Sequence, residues 1–239
     1  MPGVWLILPT YNEAVNIEPF VHAVLPELAE AAPEHRILIV DDNSPDGTGR
    51  IADALAAELE TVEVLHRPRK EGLGVAYLAG FRRALAHGAD FVMEMDSDFS
   101  HSPADVPRLV RAATDADLVL GSRYVPGGGV SDWGLLRRVL SRGGSWYART
   151  VLRVDIRDLT GGFKCFRRDV LAGMDLDAVH AEGYGFQIEL TYRAIRAGFR
   201  VKEVPIVFRE RQAGISKMTT RIAAEAVWKV PAMRFRRSV

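Results

Sequence analysis

Two aspartates, one residue apart, follow an apolar run of the sequence. Phe91 to Met95 reads FVMEM, and Asp96 and Asp98 come directly after it in DSDFSH. Side chains two residues apart on an extended backbone point the same way, so both carboxylates can reach one ion. Mg²⁺ and Mn²⁺ prefer oxygen ligands and bind through one or two carboxylates together with substrate phosphates. The pattern predicts a metal and diphosphate site at Asp96 and Asp98.

A second acidic loop follows another apolar run. RILIV (36–40) leads into DDNSPDGT, in which Asp41 and Asp42 extend beyond the run. One of these two aspartates can accept hydrogen bonds from the base or ribose of a nucleotide; the alternative is that both are solvated loop acids. A dinucleotide-binding fold would need G-x-G-x-x-G after the first strand, where this chain has PTYNE.

Both loops are expected at one edge of a sheet. Apolar runs rich in β-branched residues alternate with segments of helical length, which predicts an α/β fold with a mainly parallel sheet and helices on both faces. The predicted strands are 4–8, 36–40, 62–65, 91–95 and 117–122, and the predicted helices between them are 16–32, 47–59, 75–87 and 103–113. Because ligands bind at the carboxyl ends of such strands, the polar loops after the first four should gather at one edge.

The second half of the chain is less regular. Three consecutive glycines at 127–129 predict a mobile loop. Further helices are predicted at 135–152, at 185–197 and from about Thr219, with short strands at 162–166 and 200–208. Neither an internal repeat nor a linker is evident, so we predict one domain over 1–239, divided into a half at 1–120 and a half at 121–239.

Length and composition limit the classes of protein to which this chain can belong. The chain has 239 residues, of which 48% are hydrophobic and 26% are charged, which suits one soluble domain with a sizeable core. Its single cysteine, Cys165, excludes an internal disulfide framework, and no Cys/His cluster has zinc-like spacing. The apolar start is too short for a signal peptide, and no stretch reaches about 18 apolar residues. We therefore expect a cytoplasmic protein that does not cross a membrane.

The net charge of zero conceals an asymmetry. Residues 1–120 hold 9 Lys and Arg against 20 Asp and Glu, whereas residues 121–239 hold 22 against 11. The basic half is expected to meet an anion such as a phosphate or an anionic bilayer. The alternative is a surface on which these charges are scattered without function. No nucleic-acid partner is expected.

Several sequence blocks together resemble the family-2 nucleotide-sugar glycosyltransferases, and within them the dolichol- or polyprenol-phosphate mannose synthases. The blocks run through nearly the whole chain: LPTYNEAVNI (8–17), VDDNSPDGT (40–48), GLGVAYLAGF (72–81), MDSDFSHSP (95–103), GSRYVPGG (121–128), LTGGFKCFRRDVL (159–171), GYGFQIE (183–189), VPIVFRER (204–211) and GISKM (214–218). The resemblance implies a GT-A fold of Rossmann-like type, a divalent metal (Mg²⁺ or Mn²⁺), and inverting transfer of mannose from GDP-mannose to a polyprenyl phosphate. It also implies a nucleotide-sugar and metal half at 1–120 and an acceptor half at 121–239.

The resemblance assigns roles to residues of this chain. Asp98, Arg123 and Arg137 are the candidate catalytic residues, and Asp96 and Asp98 are the candidate metal ligands. The candidate nucleotide-sugar residues are Pro9, Tyr11, Glu13, Asp41, Asp42 and Asp96. The candidate acceptor-phosphate residues are Arg123, Arg137, Ser141 and Arg209, with Arg138 as an open alternative to Arg137. Relatives differ at the position of Ser100, which we expect to cap the following helix rather than bind metal.

The charges and spacing agree with this assignment. Arginine presents a planar, permanently charged fork that matches phosphate oxygens. Arg137 and Ser141 are related by i, i+4 and so lie on the same side of a predicted helix; the alternative for each arginine is a solvated helix face. An acceptor phosphate with a second pKa of about 6 is already largely ionised at neutral pH, so the single displacement needs no general base. In agreement, GYGFQIE stands where hydroxyl-acceptor relatives carry a Glu-Asp pair, and Gln187 and Glu189 could be structural.

The C-terminal stretch from Thr219 is predicted to be amphipathic. Apolar Ile222, Ala226, Val227, Val230 and Met233 stand beside basic Arg221, Lys229, Arg234, Arg236 and Arg237. This helix could lie on an anionic membrane, or its apolar side could pack on the core; Pro231 interrupts the pattern. We expect a peripheral protein on the cytoplasmic face of a membrane, and relatives add a separate membrane-anchoring protein or domain.

Three other functions compete with this one. The nearest is the same fold with UDP-glucose or another nucleotide sugar as the donor. A nucleotidyltransferase that makes the sugar nucleotide would begin with a Gly-rich, basic loop, which PTYNE is not. A non-catalytic lipid-binding module would not need Asp96 and Asp98.

Overall fold

The computed structural model describes residues 3–179, 183–210 and 220–235, with side chains in the last helix described from Trp228 onward. The strands are β1 (Val4–Thr10), β2 (His35–Asp41), β3 (Val62–His66), β4 (Phe91–Glu94), β5 (Leu118–Ser122), β6 (Gly129–Val130), β7 (Lys164–Arg167), β8 (Val201–Pro205) and β9 (Val207–Phe208). The helices are α1 (Ile17–Ala31), α2 (Thr48–Glu58), α3 (Leu73–Ala86), α4 (Val106–Ala112), α5 (Leu135–Leu152), α6 (Arg168–Ala172), α7 (Gly183–Arg196) and α8 (Thr220–Phe235).

Seven strands form one sheet in the order β3-β2-β1-β4-β7-β5-β8. Strands β1 to β4 are parallel to one another, and β5 is parallel to β8. Only β7 among these seven runs antiparallel, against both β4 and β5. The carboxyl ends of β1, β2, β3, β4 and β5 therefore lie along one edge of the sheet, as the sequence predicts.

Alternating side chains give the sheet two buried faces. In β1, Leu6 and Leu8 join one core with residues of α1, α2 and α4. Their neighbours Trp5 and Ile7 join the other core, with residues of α3, α6 and α7. A strand covered on both faces is a near-continuous apolar run, which explains why VWLIL shows little polar alternation. A third cluster joins α5, α7 and the end of α8 to Leu120.

The glycine-rich segment differs from its prediction. Gly129 and Val130 form β6, which pairs in parallel with β9. Gly128 lies so close to the backbone of Ser122 that an added Cβ would approach its carbonyl oxygen at 2.5 Å. Gly128 therefore permits a close backbone approach, and Gly129 belongs to a strand where the sequence predicted a loop.

The C-terminal helix is described in part. It continues through Pro231 to Phe235, and Val230 and Met233 are buried in the third cluster. The apolar side therefore packs on the core at these two positions, whereas the side chains predicted at Arg221, Ile222, Ala226 and Val227, as well as Arg236 and Arg237, lie outside the described residues. Within the described ranges, no helix combines the length and apolar content that crossing a bilayer requires.

Candidate functional site

Strand β4 delivers two carboxylates to the ligand edge of the sheet. It ends at Glu94, Asp96 is half-buried, and Asp98 is only 5% exposed and accepts a hydrogen bond from the backbone N–H of Ser100 at 3.0 Å. The buried phenol of Tyr77 responds to this concentration of negative charge. Burial raises its pKa well above the usual value, and the charges of Asp96, Glu94 and Asp98 raise it further. The end of β4 is thus an acidic centre.

Ser100 is not a helix cap, contrary to the sequence prediction. The next helical turn is a 3₁₀ helix, Pro103–Asp105, and Ser102 occupies its N-cap position. The Ser100 hydroxyl is buried and has no hydrogen-bond partner among the described residues. Its loop curls back onto Asp98 before the helix begins, which moves the cap position two residues along the chain. A buried hydroxyl beside Asp98 is suited to bind an ion or a substrate oxygen.

The residues at this edge fit a hard divalent cation. Asp96, Asp98 and Ser100 offer oxygen atoms, which are the ligands that Mg²⁺ and Mn²⁺ prefer. Across the part of the chain that the structure describes, no three His, Cys, Asp or Glu side chains converge into a complete metal site.

A wholly buried polar group lies behind this acidic centre. Glu94 is paired across the sheet with Lys164, whose ammonium lies 3.3 Å from the carboxylate. Lys164 also donates to the backbone carbonyl of Gln187 at 2.9 Å and to its side-chain oxygen. Burial raises the pKa of Glu94 to about 7. Gln187 thus ties α7 to β4 and β7, which supports the structural interpretation of GYGFQIE.

The first βα loop holds Pro9, Tyr11 and Glu13 at the same edge. Pro9 is the penultimate residue of β1 and is half-buried. The ammonium of Lys70 lies 4.1 Å from the centre of the Tyr11 ring, a cation–π contact. Glu13 is buried, and its carboxylate accepts a hydrogen bond from the Asn16 amide at 2.8 Å, while its backbone N–H donates to the Thr48 hydroxyl at 2.9 Å.

The two aspartates after β2 have different surroundings. Asp41 accepts hydrogen bonds from the Ser44 hydroxyl at 2.6 Å and the Ser44 N–H at 3.2 Å, and it lines a cleft of about 260 Å³ on the α2 side. Asp42 is bonded at 2.5 Å by Arg67, which belongs to the same loop as Lys70. Burial raises the pKa of Asp42 despite the attraction of Arg67. Asp41 therefore stabilises its own loop, whereas Asp42 is bonded to the loop of Arg67 and Lys70, which also contacts Tyr11.

Arg123 is buried and held by a carboxylate. It follows β5 and is 4% exposed. Its Nε and Nη2 donate to the two oxygens of Asp158, each at 2.7 Å, and Nη2 also donates to the Thr160 hydroxyl at 2.8 Å. Burial alone would lower the pKa of Arg123, but Asp158 raises it above the usual value. The sequence reasoning chose Arg123 and missed Asp158.

Two aromatic rings bring the other acceptor candidates to Arg123. The Trp133 ring lies 4.1 Å from the Arg137 guanidinium and 5.8 Å from that of Arg123. The Tyr124 ring lies 5.2 Å from Arg123, and its hydroxyl donates to Ser141 at 2.6 Å. Arg123, Arg137 and Ser141 therefore surround one region, as their assignment requires.

The structure separates Arg137 from Arg138. Arg137 stacks on Trp133 and pairs with Glu210 at 2.8 Å, in the segment that follows β9. Arg138 is exposed on the same helix, and its backbone N–H donates to the carbonyl of Gly134 at 3.1 Å. Arg137 is therefore the better acceptor candidate of the two.

The acidic centre and the arginines meet at His101. Its ring lies 5.0 Å from that of Phe208, and Phe208 in turn lies 5.6 Å from the Arg123 guanidinium. Burial lowers the pKa of His101 to about 4; the negative charge of Asp98 opposes this shift, and the positive charge of Arg123 adds to it. Arg209, next to Phe208, donates its backbone N–H to the carbonyl of Ser100 at 3.0 Å. The backbone of Arg209 is therefore bonded to the loop that carries Asp98 and Ser100, and its side chain is exposed.

Some residues of the site escaped sequence reasoning. Asp158 and His101 gave no signal because isolated acids and histidines do not reveal their burial. Trp133 was visible only as an apolar residue in an irregular segment, and Phe208 only as the last residue of a predicted strand. Arg67 stands in HRPRK after β3, and its position at the ligand edge was the one signal that could have found it.

Comparison with known proteins places the chain among transferases. The sequence model described as Glycosyl transferase family 2 matches residues 5–180. The undecaprenyl-phosphate mannosyltransferase of Micrococcus luteus is 49% identical over 227 residues, which cover 95% of this chain and 92% of that protein. The polyprenol monophosphomannose synthase of Mycolicibacterium smegmatis is 50% identical over 227 residues, which cover 94% of this chain and 84% of that protein.

A solved structure shares the fold. Glucosyl-3-phosphoglycerate synthase from Mycobacterium tuberculosis, in complex with Mn²⁺, UDP and glucosyl-3-phosphoglycerate, superposes with a TM-score of 0.73 at 20% identity, covering 99% of this chain and 81% of that one. At this identity the likeness concerns the fold. The predicted α/β fold of GT-A type, with a mainly parallel sheet covered on both faces, is confirmed.

Proposed function

This chain belongs to glycosyl transferase family 2, and we propose that it transfers mannose from GDP-mannose to a polyprenyl phosphate, with inversion at the anomeric carbon. The product would be a polyprenyl phosphate mannose. The observation that supports this most directly is that the acidic loop containing Asp98 connects, through the rings of His101 and Phe208, to the candidate acceptor residue Arg123. The names of the two relatives at about 50% identity support the same substrates.

The donor is proposed to bind along the ends of β1, β2 and β4. Tyr11 offers a ring face for the base, and Asp42 offers a carboxylate whose orientation Arg67 fixes. Asp96 and Asp98 would face the diphosphate. These positions follow the carboxyl ends of parallel strands, where ligands of such sheets bind.

Asp96 and Asp98 are proposed to hold Mg²⁺ or Mn²⁺, with the Ser100 hydroxyl as a further oxygen. The bound ion would neutralise the charge that develops on the leaving diphosphate. Without it, two carboxylates and a diphosphate would repel each other. Mn²⁺ in the glucosyl-3-phosphoglycerate synthase complex is in keeping with a metal requirement.

The acceptor phosphate is proposed to bind between Arg123, Arg137 and Ser141. One of its oxygens attacks the anomeric carbon, the bond from that carbon to the diphosphate oxygen breaks, and GDP leaves with the electron pair. The phosphate is largely ionised at neutral pH, since its second pKa is about 6, so no residue has to remove a proton. The protein's task is to align two anions on opposite sides of one carbon atom.

A membrane surface is proposed as the place where the lipid is met. Leu140 and Trp146 are 66% and 68% exposed on α5, between the basic residues Arg138, Arg142 and Arg149. The neighbouring α8 exposes further apolar side chains, Trp228 and Phe235. Exposed apolar groups among positive charges suit the boundary of an anionic bilayer. The chain would then act as a peripheral protein on the cytoplasmic face, alone or with a separate anchoring protein.

A donor panel tests the proposed function. Purified protein is given GDP-mannose, UDP-glucose or UDP-GlcNAc, each labelled in the sugar, with a polyprenyl phosphate and with Mg²⁺, Mn²⁺ or EDTA. We expect label in the organic phase with GDP-mannose and metal, and none with EDTA.

The other outcomes are equally informative. Label from UDP-glucose alone would assign the alternative donor to the same fold. Formation of a sugar nucleotide from a sugar phosphate and a nucleoside triphosphate would indicate a nucleotidyltransferase. Binding of lipid without transfer from any donor would contradict the enzyme assignment altogether.

A further inference from the structure

Arg123 differs from the acceptor candidate Arg137 in that the carboxylate paired with it is buried, whereas the Arg137–Glu210 pair is exposed. Asp158 is completely buried and accepts four hydrogen bonds. Three come from Arg123: its backbone N–H at 2.9 Å, and Nε and Nη2, each at 2.7 Å. The fourth comes from the Thr160 hydroxyl at 3.3 Å. All three N–H groups of Nε and Nη2 are thereby used, since Nη2 also donates to Thr160. Among the described residues, none accepts a hydrogen bond from Nη1.

The loop that carries Asp158 is itself held by hydrogen bonds to Glu203 in β8. Glu203 in β8 accepts the backbone N–H groups of Arg157 and Asp158, each at 2.9 Å. The same carboxylate accepts the Ser122 hydroxyl at 2.7 Å, one residue before Arg123. Glu203 therefore joins the strand end before Arg123 to the backbone of Asp158, and both partners of the pair are held in one frame.

We propose that Asp158 is a positioning residue for acceptor binding: it fixes the Arg123 guanidinium so that Nη1 alone is presented to the acceptor phosphate. This inference rests on the proposed function. A guanidinium held on one edge offers directed hydrogen bonds without having to reorient as the ligand arrives. The net positive charge that attracts the phosphate would then come from exposed arginines outside this buried pair.

The sign of one substitution separates positioning from simple electrostatics. Asp158→Asn removes a negative charge next to an anion site. If charge alone governed binding, the acceptor should bind more tightly, because an opposing charge has been removed. If orientation governs binding, the acceptor should bind more weakly, because asparagine replaces one of the two acceptor oxygens that hold Nε and Nη2 with an NH2 group, which is a donor.

The experiment measures steady-state kinetics with the donor that the wild type accepts and a polyprenyl phosphate of defined length. We expect Asp158→Asn to raise the KM for the acceptor about tenfold, with the KM for the donor within about twofold of wild type. The control is Asp155→Asn, an exposed carboxylate in the same loop that pairs with Arg149. In an Arg123→Lys background, which lacks the fork, Asp158→Asn should have little further effect.

A second variant keeps the test decisive if Asp158→Asn does not fold, as judged by binding of GDP and Mn²⁺. Thr160→Val leaves the ion pair intact and removes one acceptor of Nη2, and we expect a rise in acceptor KM of about threefold. An active wild type with an unchanged or lowered acceptor KM in the folded variants would overturn this inference alone. A wild type that transfers no sugar would overturn the proposed function, and this inference with it.

Discussion

Asp96 and Asp98 lie where a central strand of the sheet ends, whereas Arg137, Arg138 and Arg142 lie along a helix that is exposed to solvent. The aspartates have little freedom, because β4 is bordered by β1 and β7 and the loop is bonded back onto Asp98. The arginines differ in their contacts: Arg137 stacks on Trp133 and pairs with Glu210, whereas the Arg142 guanidinium lies 5.6 Å from the Tyr124 ring.

The difference matches two kinds of substrate. A nucleotide sugar is a small rigid ligand, and a strand end can hold its diphosphate at a fixed place. A lipid phosphate has to be collected from a surface, for which mobile side chains with net positive charge are suited. Arg123 combines the two principles, since it is an arginine of the basic half that is held as firmly as the aspartates are.

The largest effect is expected from the acidic centre. Asp98→Ala should reduce transfer about 100-fold, because the variant loses one of the two proposed carboxylate ligands of the metal. Initial rates at saturating Mn²⁺ give the measurement. Asp105→Asn is the matched control, since this carboxylate in the next helical turn pairs with Arg108. Near wild-type turnover by Asp98→Ala would contradict the proposal that this aspartate holds the metal for the leaving diphosphate.

A smaller effect is expected on the helix, and it should differ between neighbours. Arg137→Ala should raise the KM for the acceptor about tenfold, as expected for the loss of one charge-assisted hydrogen bond. Arg138→Ala should change it by less than about threefold, because a surface charge in water contributes little. Acceptor titrations at two salt concentrations measure both. Equal losses in the two variants would mean that α5 binds phosphate through its net charge without a specific arginine.

The strand ends could be predicted from the sequence for a physical reason. A buried strand needs a continuous apolar run, and the polar residue that ends the run must lie at the edge. This reasoning located Asp96, Asp98, Asp42 and Arg123 at the ligand edge. The GT-A fold came from the order of the sequence blocks, which no single motif would have established.

The features of the site that the sequence did not predict depend on contacts between residues far apart in the chain. Asp158 and Arg123 are 35 residues apart, and neither type of residue reveals a buried pair. Gly128 looked like part of a mobile loop because three glycines are flexible in isolation, yet the approach of Ser122 requires a residue without a side chain. Ser100 looked like a helix cap because serine favours that position, yet its backbone is committed to Asp98 and Arg209.

The exposed surface of α5 allows the basic half (121–239) to be compared with the acidic half (1–120) in membrane binding. Leu140→Glu combined with Trp146→Glu should lower the fraction bound to anionic liposomes about fivefold, because burial of the two apolar side chains is lost and negative charge is added. The control places the same charges on the acidic half, at the exposed alanines Ala54 and Ala57 of α2. Flotation with anionic and with neutral liposomes gives the measurement. If both double variants bind like the wild type, another surface meets the lipid.

The smallest effect concerns the boundary between the two regions, at Ser100. Its hydroxyl lies beside Asp98, its carbonyl holds Arg209, and its Oγ is buried without a partner among the described residues. If Oγ serves the metal, Ser100→Ala should raise the Mn²⁺ concentration for half-maximal activity about threefold, less than the loss of a carboxylate ligand. The melting temperature should not fall, because removing an unpaired buried hydroxyl costs no hydrogen bond. Ser102→Ala is the control, since the Ser102 side chain makes no cap hydrogen bond. A lower melting temperature with an unchanged Mn²⁺ requirement would instead make Ser100 part of the frame that joins the acidic centre to the acceptor loop.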